Sequence, residues 1–181
     1  MGFRTNILII SGIAAFFMAA IHANADNTLC FEAEDAKELK APVKTVEVKD
    51  KAEIGKISGD KFIEIEQGAG EGSKVGGLAK YKINLKEEGT YYFWARCWWL
   101  DSCGNSFGVK IGDKPEFITG NDGTYKSWHW VQAKIRLMLE KGVYDIEIGN
   151  REDGIKIDQI LITNDRKLIP VDIEKSEKLS E

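Results

Sequence analysis

Residues 90–99 read Thr-Tyr-Tyr-Phe-Trp-Ala-Arg-Cys-Trp-Trp, an aromatic-rich run that is typical of a β-strand. Because side chains alternate across a strand, Tyr91 and Trp99 point to one face while Tyr92 and Trp98 point to the other. A strand with one face in water would show polar residues on that face, but here both faces carry large rings. The stretch therefore predicts a central strand that is covered on both sides.

Further strands are predicted on either side of this run, and no window after residue 26 sustains the apolar spacing of a helix. Each candidate is short, rich in β-branched or aromatic residues, and bounded by turns built on Gly or Asp. The nine predicted strands are 29–33, 43–48, 62–65, 79–85, 90–99, 106–111, 129–139, 143–148 and 155–162. This number of short strands predicts an all-β sandwich or barrel.

The N-terminus has the pattern of a secretory signal peptide. Arg4 supplies a positive charge, residues 7–21 form an apolar run, and Ala23-Asn24-Ala25 offers a small-residue cleavage site. An uncleaved anchor is the alternative, but this run falls short of the roughly 20 residues that span a bilayer. We therefore expect residues 1–25 to be removed, no membrane span to remain after cleavage, and the protein to be secreted or periplasmic.

The mature chain is expected to form one domain over residues 26–168, followed by a flexible charged tail over residues 169–181. The full chain has 25 Lys and Arg against 29 Asp and Glu. This acidic balance, with dispersed lysines, lacks the basic stripe that a phosphate backbone requires, so nucleic acid is not an expected partner. His129 is the only histidine after residue 26, and no carboxylate pair stands out in an apolar setting. We therefore expect no catalytic activity.

Three cysteines, Cys30, Cys97 and Cys103, remain in a chain that is expected to enter an oxidising compartment. A disulfide between Cys97 and Cys103 is the favoured pairing, because it would close the small loop that holds Trp98 and Trp99. Pairing of Cys30 with either of the others stays open, since spacing does not determine connectivity.

Four motifs follow one another along the mature chain: Phe31-Glu32-Ala33-Glu34-Asp35, residues 89–96, residues 141–146 and residues 154–160. In their order and spacing they resemble the carbohydrate-binding modules of families 6 and 35, over roughly residues 29–165. The resemblance implies a jelly-roll β-sandwich of the galactose-binding-domain-like kind, which agrees with the strand count.

The resemblance also implies a structural Ca²⁺ beside the first and last strands. The carboxylates at the matching positions are Glu32, Glu34 and Asp158. Carboxylates gathered from the two chain ends would repel each other unless a cation neutralised them, and Ca²⁺ takes six to eight oxygen ligands. The alternative is that Glu32 and Glu34 face solvent on an edge strand, where charge limits aggregation.

In these families the resemblance places the sugar in loops at one end of the sandwich, stacked on aromatic rings. The matching segment is residues 121–130, with Trp128 or Tyr125 as the stacking ring, although Trp128 would alternatively plug the end of the sandwich. A second rim is expected on the loop after residue 97, where one of the two tryptophans projects. The predicted ligand-binding residues are Tyr125, Trp128, Trp98, Trp99, Asn121, Asp122, Asn105 and Arg151.

The sequence thus favours a non-catalytic module that binds a polysaccharide or other glycan. It departs from the family in residues 66–78, which contain no aromatic residue where a second stacking ring is often found. The alternative function is a structural or adhesion domain of the cell envelope that binds a protein partner and no sugar.

Overall fold

The computed structural model describes residues 27–49, 55–70 and 76–179, and the predicted signal peptide over residues 1–25 lies outside them. The described residues form twelve strands, and their only helical element is one short 3-10 turn at Ala33–Asp35. No helix among them is long and apolar enough to cross a membrane. The strands are β1 (Thr28–Glu32), β2 (Glu38–Lys40), β3 (Val43–Glu47), β4 (Lys61–Ile65), β5 (Leu78–Leu85), β6 (Gly89–Trp99), β7 (Ser106–Ile111), β8 (Phe117–Gly120), β9 (His129–Gln132), β10 (Leu137–Leu139), β11 (Gly142–Gly149) and β12 (Ile155–Thr163).

Two antiparallel sheets pack face to face. The seven-stranded sheet has the order β10-β6-β12-β4-β3, with β1 added beside β12 and β9 beside β6. The five-stranded sheet has the order β2-β5-β11-β7-β8. The predicted all-β sandwich is therefore confirmed.

Strand β6 occupies the central position that its two apolar faces predict. It pairs with β12 on one side and with β9 and β10 on the other. Its alternate side chains Tyr91, Phe93, Ala95, Cys97 and Trp99 are all fully buried between the sheets. The other alternate set, which includes Arg96 and Trp98, lies on the outer face of the seven-stranded sheet.

The pairing of β6 with β12 contains a β-bulge at Asp158. Ile157 pairs with Cys97 and Gln159 with Arg96, so Asp158 is the extra residue. The bulge brings the carboxylate of Asp158 to the guanidinium of Arg96, with Oδ2 and Nη1 2.6 Å apart. Both side chains are almost completely buried, which makes this an interior ion pair.

The strand count differs from the prediction in three places. The predicted strand 129–139 divides into β9 and β10, because residues 133–136 bulge out of the ladder with β6. All three residues of β2 are exposed and show no apolar alternation, and β8 is only four residues long. Both lie at edges of the five-stranded sheet, where pairing partners define a strand more than its own sequence does.

The C-terminal segment lies along the outer face of the seven-stranded sheet. The backbone N–H of Glu177 donates to the carbonyl of Cys30 at 2.7 Å, and that of Glu174 donates to Gln159 Oε1 at 3.0 Å. Nearby, Cys30, Trp94 and Leu161 form a small second apolar cluster, against which Leu168 packs. The predicted mobility of residues 169–181 stays a prediction, but residues 172–177 contact the sheet.

The predicted disulfide is wrong, because all three cysteines are free. Cys97 is in the inward-facing set of β6 and is fully buried, whereas Cys103 lies in the exposed turn that follows the strand. Cys30 is buried on the opposite, outer side of the same sheet. Burial also raises the pKa of the Cys97 thiol well above its usual value, which disfavours the reactive thiolate.

Candidate functional site

A cleft of roughly 460 Å³ opens on the outer face of the seven-stranded sheet, at the end where β6 finishes. It brings together one strand and three segments that are distant in sequence. We name it the tryptophan cleft; it is lined by Gly55, Lys56, Arg96, Trp98, Lys126, Ser127, Trp128 and Asp172.

Trp98 reaches the cleft because it belongs to the outward-facing set of β6. Its ring is partly exposed, and the ammonium of Lys156 lies 5.1 Å from the ring centroid. That ammonium also pairs with the carboxylate of Glu64 on β4. A cation over an indole ring is a favourable contact, so Lys156 supports the ring in a fixed position.

Trp128 enters the cleft from the loop between β8 and β9. The loop is tied to the end of β6 by a hydrogen bond from the N–H of Lys126 to the carbonyl of Trp99, at 2.8 Å. The indole lies edge-on to Phe62, with 5.6 Å between centroids, and 5.5 Å from the guanidinium carbon of Arg96. Trp128 is thus partly buried against the sheet and also lines the cleft.

Arg96 joins the segments that form the floor of the cleft. Its Nη1 donates to Asp158, its Nη2 to the carbonyl of Lys56 at 3.1 Å, and its Nε to the carbonyl of Asp172 at 2.7 Å. Its side chain is only 5 % exposed. One buried guanidinium therefore fixes strand, loop and C-terminal segment together around the two tryptophans.

The other predicted ligand-binding residues of the 121–130 segment lie away from this cleft. Tyr125 is 37 % exposed, and its hydroxyl lies 3.5 Å from Nδ2 of Asn105. Asp122 accepts a hydrogen bond from the N–H of Thr124, and its other oxygen is 2.8 Å from Nε2 of His129. Asn121 is exposed at the start of the loop. Two of the predicted ligand-binding residues, Trp98 and Trp128, thus line the cleft, whereas Asn121, Asp122 and Tyr125 lie in the end loop.

Three further predicted ligand-binding residues, Trp99, Asn105 and Arg151, do not line the tryptophan cleft. Trp99 is fully buried, with its ring edge-on to that of His129, because it belongs to the inward set of β6. Asn105 is 3 % exposed and lies beneath the tyrosine hydroxyl. The guanidinium of Arg151 is engaged by Ser106 Oγ and Glu152 Oε1.

Sequence reasoning missed several walls of the cleft. Arg96 shares the outward face of β6 with Trp98, so the two-residue alternation contained the signal for it. Lys126 and Ser127 precede Trp128 directly and were within reach of the same argument. Asp172 lies in a charged segment without periodicity, and only the fold reveals its place.

A carboxylate cluster is formed by Glu32 of β1, Glu34 of the 3-10 turn and Asp158, the residue that pairs with Arg96. One oxygen of Glu32 accepts hydrogen bonds from Ser58 Oγ at 2.7 Å and from Gln159 Nε2 at 3.1 Å. The second oxygen, Oε2, of both Glu32 and Glu34 is buried and has no hydrogen-bond partner in the described part of the chain. An unpartnered buried oxygen is costly, so these two atoms fit a bound cation.

Burial is the largest cause of the raised pKa values of Glu34 and Asp158 in this cluster. Burial, with repulsion from Glu32 and Asp158, raises the pKa of Glu34 to about 8. Burial raises the pKa of Asp158 to about 6, against the opposing effects of the Ser58 N–H and of Arg96. Both carboxylate oxygens of Asp158 already have hydrogen-bond partners, the N–H of Ser58 and the guanidinium of Arg96. Among the described residues, no group of three ligating side chains is arranged for a metal. The fit to a cation rests on Glu32 and Glu34 alone.

No family model matches the chain, and no curated protein matches it in sequence. Solved structures do match. A family 6 carbohydrate-binding module of a laminarinase from Zobellia galactanivorans aligns at 21 % identity and a TM-score of 0.54, over 76 % of this chain and 99 % of that module. A family 35 module from Clostridium thermocellum aligns at 16 % identity and a TM-score of 0.54, over 75 % and 96 %.

A third match is a carbohydrate-binding module of a Cellvibrio mixtus lichenase, solved in complex with cellotriose, at 17 % identity and a TM-score of 0.51, over 74 % of this chain and 94 % of that one. Structural similarity to modules of families 6 and 35 is therefore confirmed, as is the predicted fold class. At these identities the similarity establishes the fold alone.

Proposed function

We propose that the protein is a non-catalytic module that binds a glycan in the tryptophan cleft. The observation that carries the proposal is that Trp98 and Trp128, delivered by a strand and by a separate loop, line one open cleft. The fold, shared with carbohydrate-binding modules, supports the same function.

The chemistry of the cleft suits a sugar ring. A pyranose presents an apolar C–H face that stacks on an indole, and hydroxyl groups around its edge that require hydrogen-bond partners. Lys126, Ser127 and Asp172 supply donors and acceptors at the rim of the cleft. Because Arg96 fixes the floor, little conformational entropy is lost on binding.

The alternative of a structural domain that binds a protein and no sugar would be favoured if all candidate aromatic side chains were buried. They are not, since Tyr125 is 37 % exposed and Trp98 and Trp128 are partly exposed. Glycan binding is therefore the better supported function. We further propose that the protein acts after export, in the periplasm or outside the cell, where polysaccharides occur.

We also propose that Ca²⁺ binds at Glu32 and Glu34 and stabilises the domain. The unpartnered oxygens of both residues support this, together with the resemblance to families that hold a structural Ca²⁺. Backbone carbonyls and water would complete the six to eight ligands that Ca²⁺ requires. The ion would then offset the repulsion between the carboxylates at the two chain ends.

A glycan-array screen of the full chain in the presence of Ca²⁺ tests the proposed function. Cellotriose and laminarin oligosaccharides are the first probes, because similar modules belong to a lichenase and a laminarinase. We expect binding that Trp128→Ala and Trp98→Ala abolish and that Tyr125→Ala retains. Loss in Tyr125→Ala alone would move the site to the end loops, and no binding to any glycan would favour the structural domain.

A further inference from the structure

A second pocket, of roughly 330 Å³, lies on β6 at the opposite end from the tryptophan cleft. Strand β6 runs from Tyr92 in this pocket to Trp98 in the cleft, six residues along the strand. We name it the basic pocket; it is lined by Tyr92, Gln132, Ala133, Lys134, Ile135, Arg136 and Arg166.

The bulge between β9 and β10 builds one wall of this pocket. Gln132 pairs with Trp94 and Leu137 with Tyr91, so five residue steps on this side face only three on β6. The N–H of Ala133 donates to the carbonyl of Phe93 at 2.9 Å, which anchors the bulge to the sheet. The extra residues are thus held in place although they leave the ladder.

Alternation continues through the bulge and separates its side chains. Ala133 and Ile135 pack against the core, while Lys134 and Arg136 are exposed. Arg166, which follows β12, brings a third positive charge to the same pocket from another part of the chain. Three cations therefore line the same pocket as Tyr92.

These cations form no ion pair in the described part of the chain. None of Lys134, Arg136 and Arg166 makes an ion pair or a side-chain hydrogen bond there. The protein as a whole carries a formal net charge of −4. A local group of three unpaired cations in an acidic protein is a site where an anion gains favourable interactions.

Edge charges also limit aggregation, and Lys134 and Arg136 lie beside an edge strand. That role does not require a third cation from a different segment, nor an aromatic ring among the charges. Convergence of Arg136 and Arg166 on one pocket instead suits an oxyanion, because the planar guanidinium donates two parallel hydrogen bonds to a carboxylate or a sulfate.

We infer that the basic pocket binds the sulfate ester or carboxylate of an acidic polysaccharide, with Arg136 and Arg166 on the oxyanion and Tyr92 against the sugar that bears it. That the ligand is a polysaccharide rests on the proposed function, whereas the oxyanion chemistry rests on the pocket alone. The two sites lie on the same sheet but have no lining residue in common, so binding at each can be tested separately.

Affinity electrophoresis of the full-length protein in gels that contain dextran sulfate, polygalacturonate or neutral dextran tests this inference. The site variant is Arg136→Gln with Arg166→Gln. The matched control is Lys82→Gln with Lys110→Gln, which removes the same charge from exposed positions of the five-stranded sheet. All four positions are exposed, so both double variants should keep the wild-type melting temperature.

We expect at least one polyanion to retard the wild-type protein at low salt, and neutral dextran not to. The site variant should bind that polyanion about tenfold or more weakly, and the control within about twofold. Retardation by dextran sulfate or by polygalacturonate identifies sulfate or carboxylate as the preferred group. Three results would each overturn the inference: neither polyanion retards the wild-type protein, both double variants lose the same amount of affinity, or single-stranded DNA binds as tightly as the preferred polyanion.

Trp128→Ala separates this test from that of the proposed function. It should leave polyanion binding at the basic pocket within about twofold of wild type, while it abolishes glycan binding on the array. If Trp128→Ala keeps glycan binding on the array, the proposed function is refuted. If the arginine double variant keeps polyanion binding, the inference about the basic pocket is refuted.

Discussion

Replacement of Arg96 by methionine removes the cation that neutralises Asp158 and leaves much of the side-chain volume in place. The variant loses the 2.6 Å ion pair, the hydrogen bonds to the carbonyls of Lys56 and Asp172, and the contact with the ring of Trp128. Because Asp158 is fully buried, its charge then has no counter-ion and keeps only the hydrogen bond from the N–H of Ser58. Loss of one partner of a buried pair costs about 3–5 kcal/mol. For a domain of this size, this lowers the melting temperature by about 6–20 °C.

The pH dependence of this loss has a defined sign. The pKa of Asp158 in the folded protein is about 6, above its usual 3.8, so the native state holds a proton that the unfolded state has lost, and stability falls as the pH rises through this window. Without Arg96 the pKa rises further and the fall extends to higher pH. The difference in unfolding free energy between wild type and Arg96→Met should therefore be larger at pH 7.5 than at pH 5.

Urea denaturation and thermal melts followed by circular dichroism measure both effects. Asp158→Asn in the Arg96→Met background should recover part of the loss, because it removes the uncompensated charge. Lys44→Met is the matched control: its ion pair with Glu66 is also 2.6 Å long but exposed, so its removal should leave the melt nearly unchanged. Equal, small effects of Arg96→Met and Lys44→Met, or no pH dependence, would refute the reasoning.

Two further predictions concern the cation and the thiols. When a chelator removes Ca²⁺, the raised pKa of Glu34, about 8, makes the stability of the fold decrease as the pH rises from about 4.5 to 8. Added Ca²⁺ should therefore raise the melting temperature most at pH 8. If calorimetry finds no effect of Ca²⁺ at pH 8, Glu34 is not part of the site. At pH 8 in native buffer, a thiol reagent should modify Cys103 alone, because Cys97 is buried and burial raises the pKa of Cys30 to about 12. Mass spectrometry of the treated native protein counts the modified thiols. A spectrum without any modified thiol would contradict the prediction that Cys103 is free and accessible.

The central strand was predictable because its signal is local. Ten residues around Trp94 show apolar side chains on both faces, and this pattern requires burial on both sides. The edge strands of the five-stranded sheet, β2 and β8, were not, since β2 has three exposed residues whose strand character depends on pairing with β5. Trp98 and Trp99 illustrate the limit for the site: alternation separates their faces, but only the fold shows which face opens on a cleft.

The wrong disulfide prediction and the unpredicted contacts of the C-terminal segment have a related cause. A disulfide prediction from spacing ignores direction, and Cys97 points into the core although Cys103 is near in sequence. The C-terminal segment carries charges without periodicity, yet its backbone at Asp172 and Glu174 accepts hydrogen bonds from side chains on the sheet. Backbone contacts of this kind leave no mark on the residue pattern.

The most direct test of glycan binding in the tryptophan cleft is isothermal titration calorimetry of the full chain with the glycan selected on the array. The account predicts a Kd that weakens by about tenfold or more in both Trp98→Ala and Trp128→Ala, since each ring contributes stacking, and that stays within about twofold in Tyr125→Ala. Wild-type affinity in both folded tryptophan variants would contradict it.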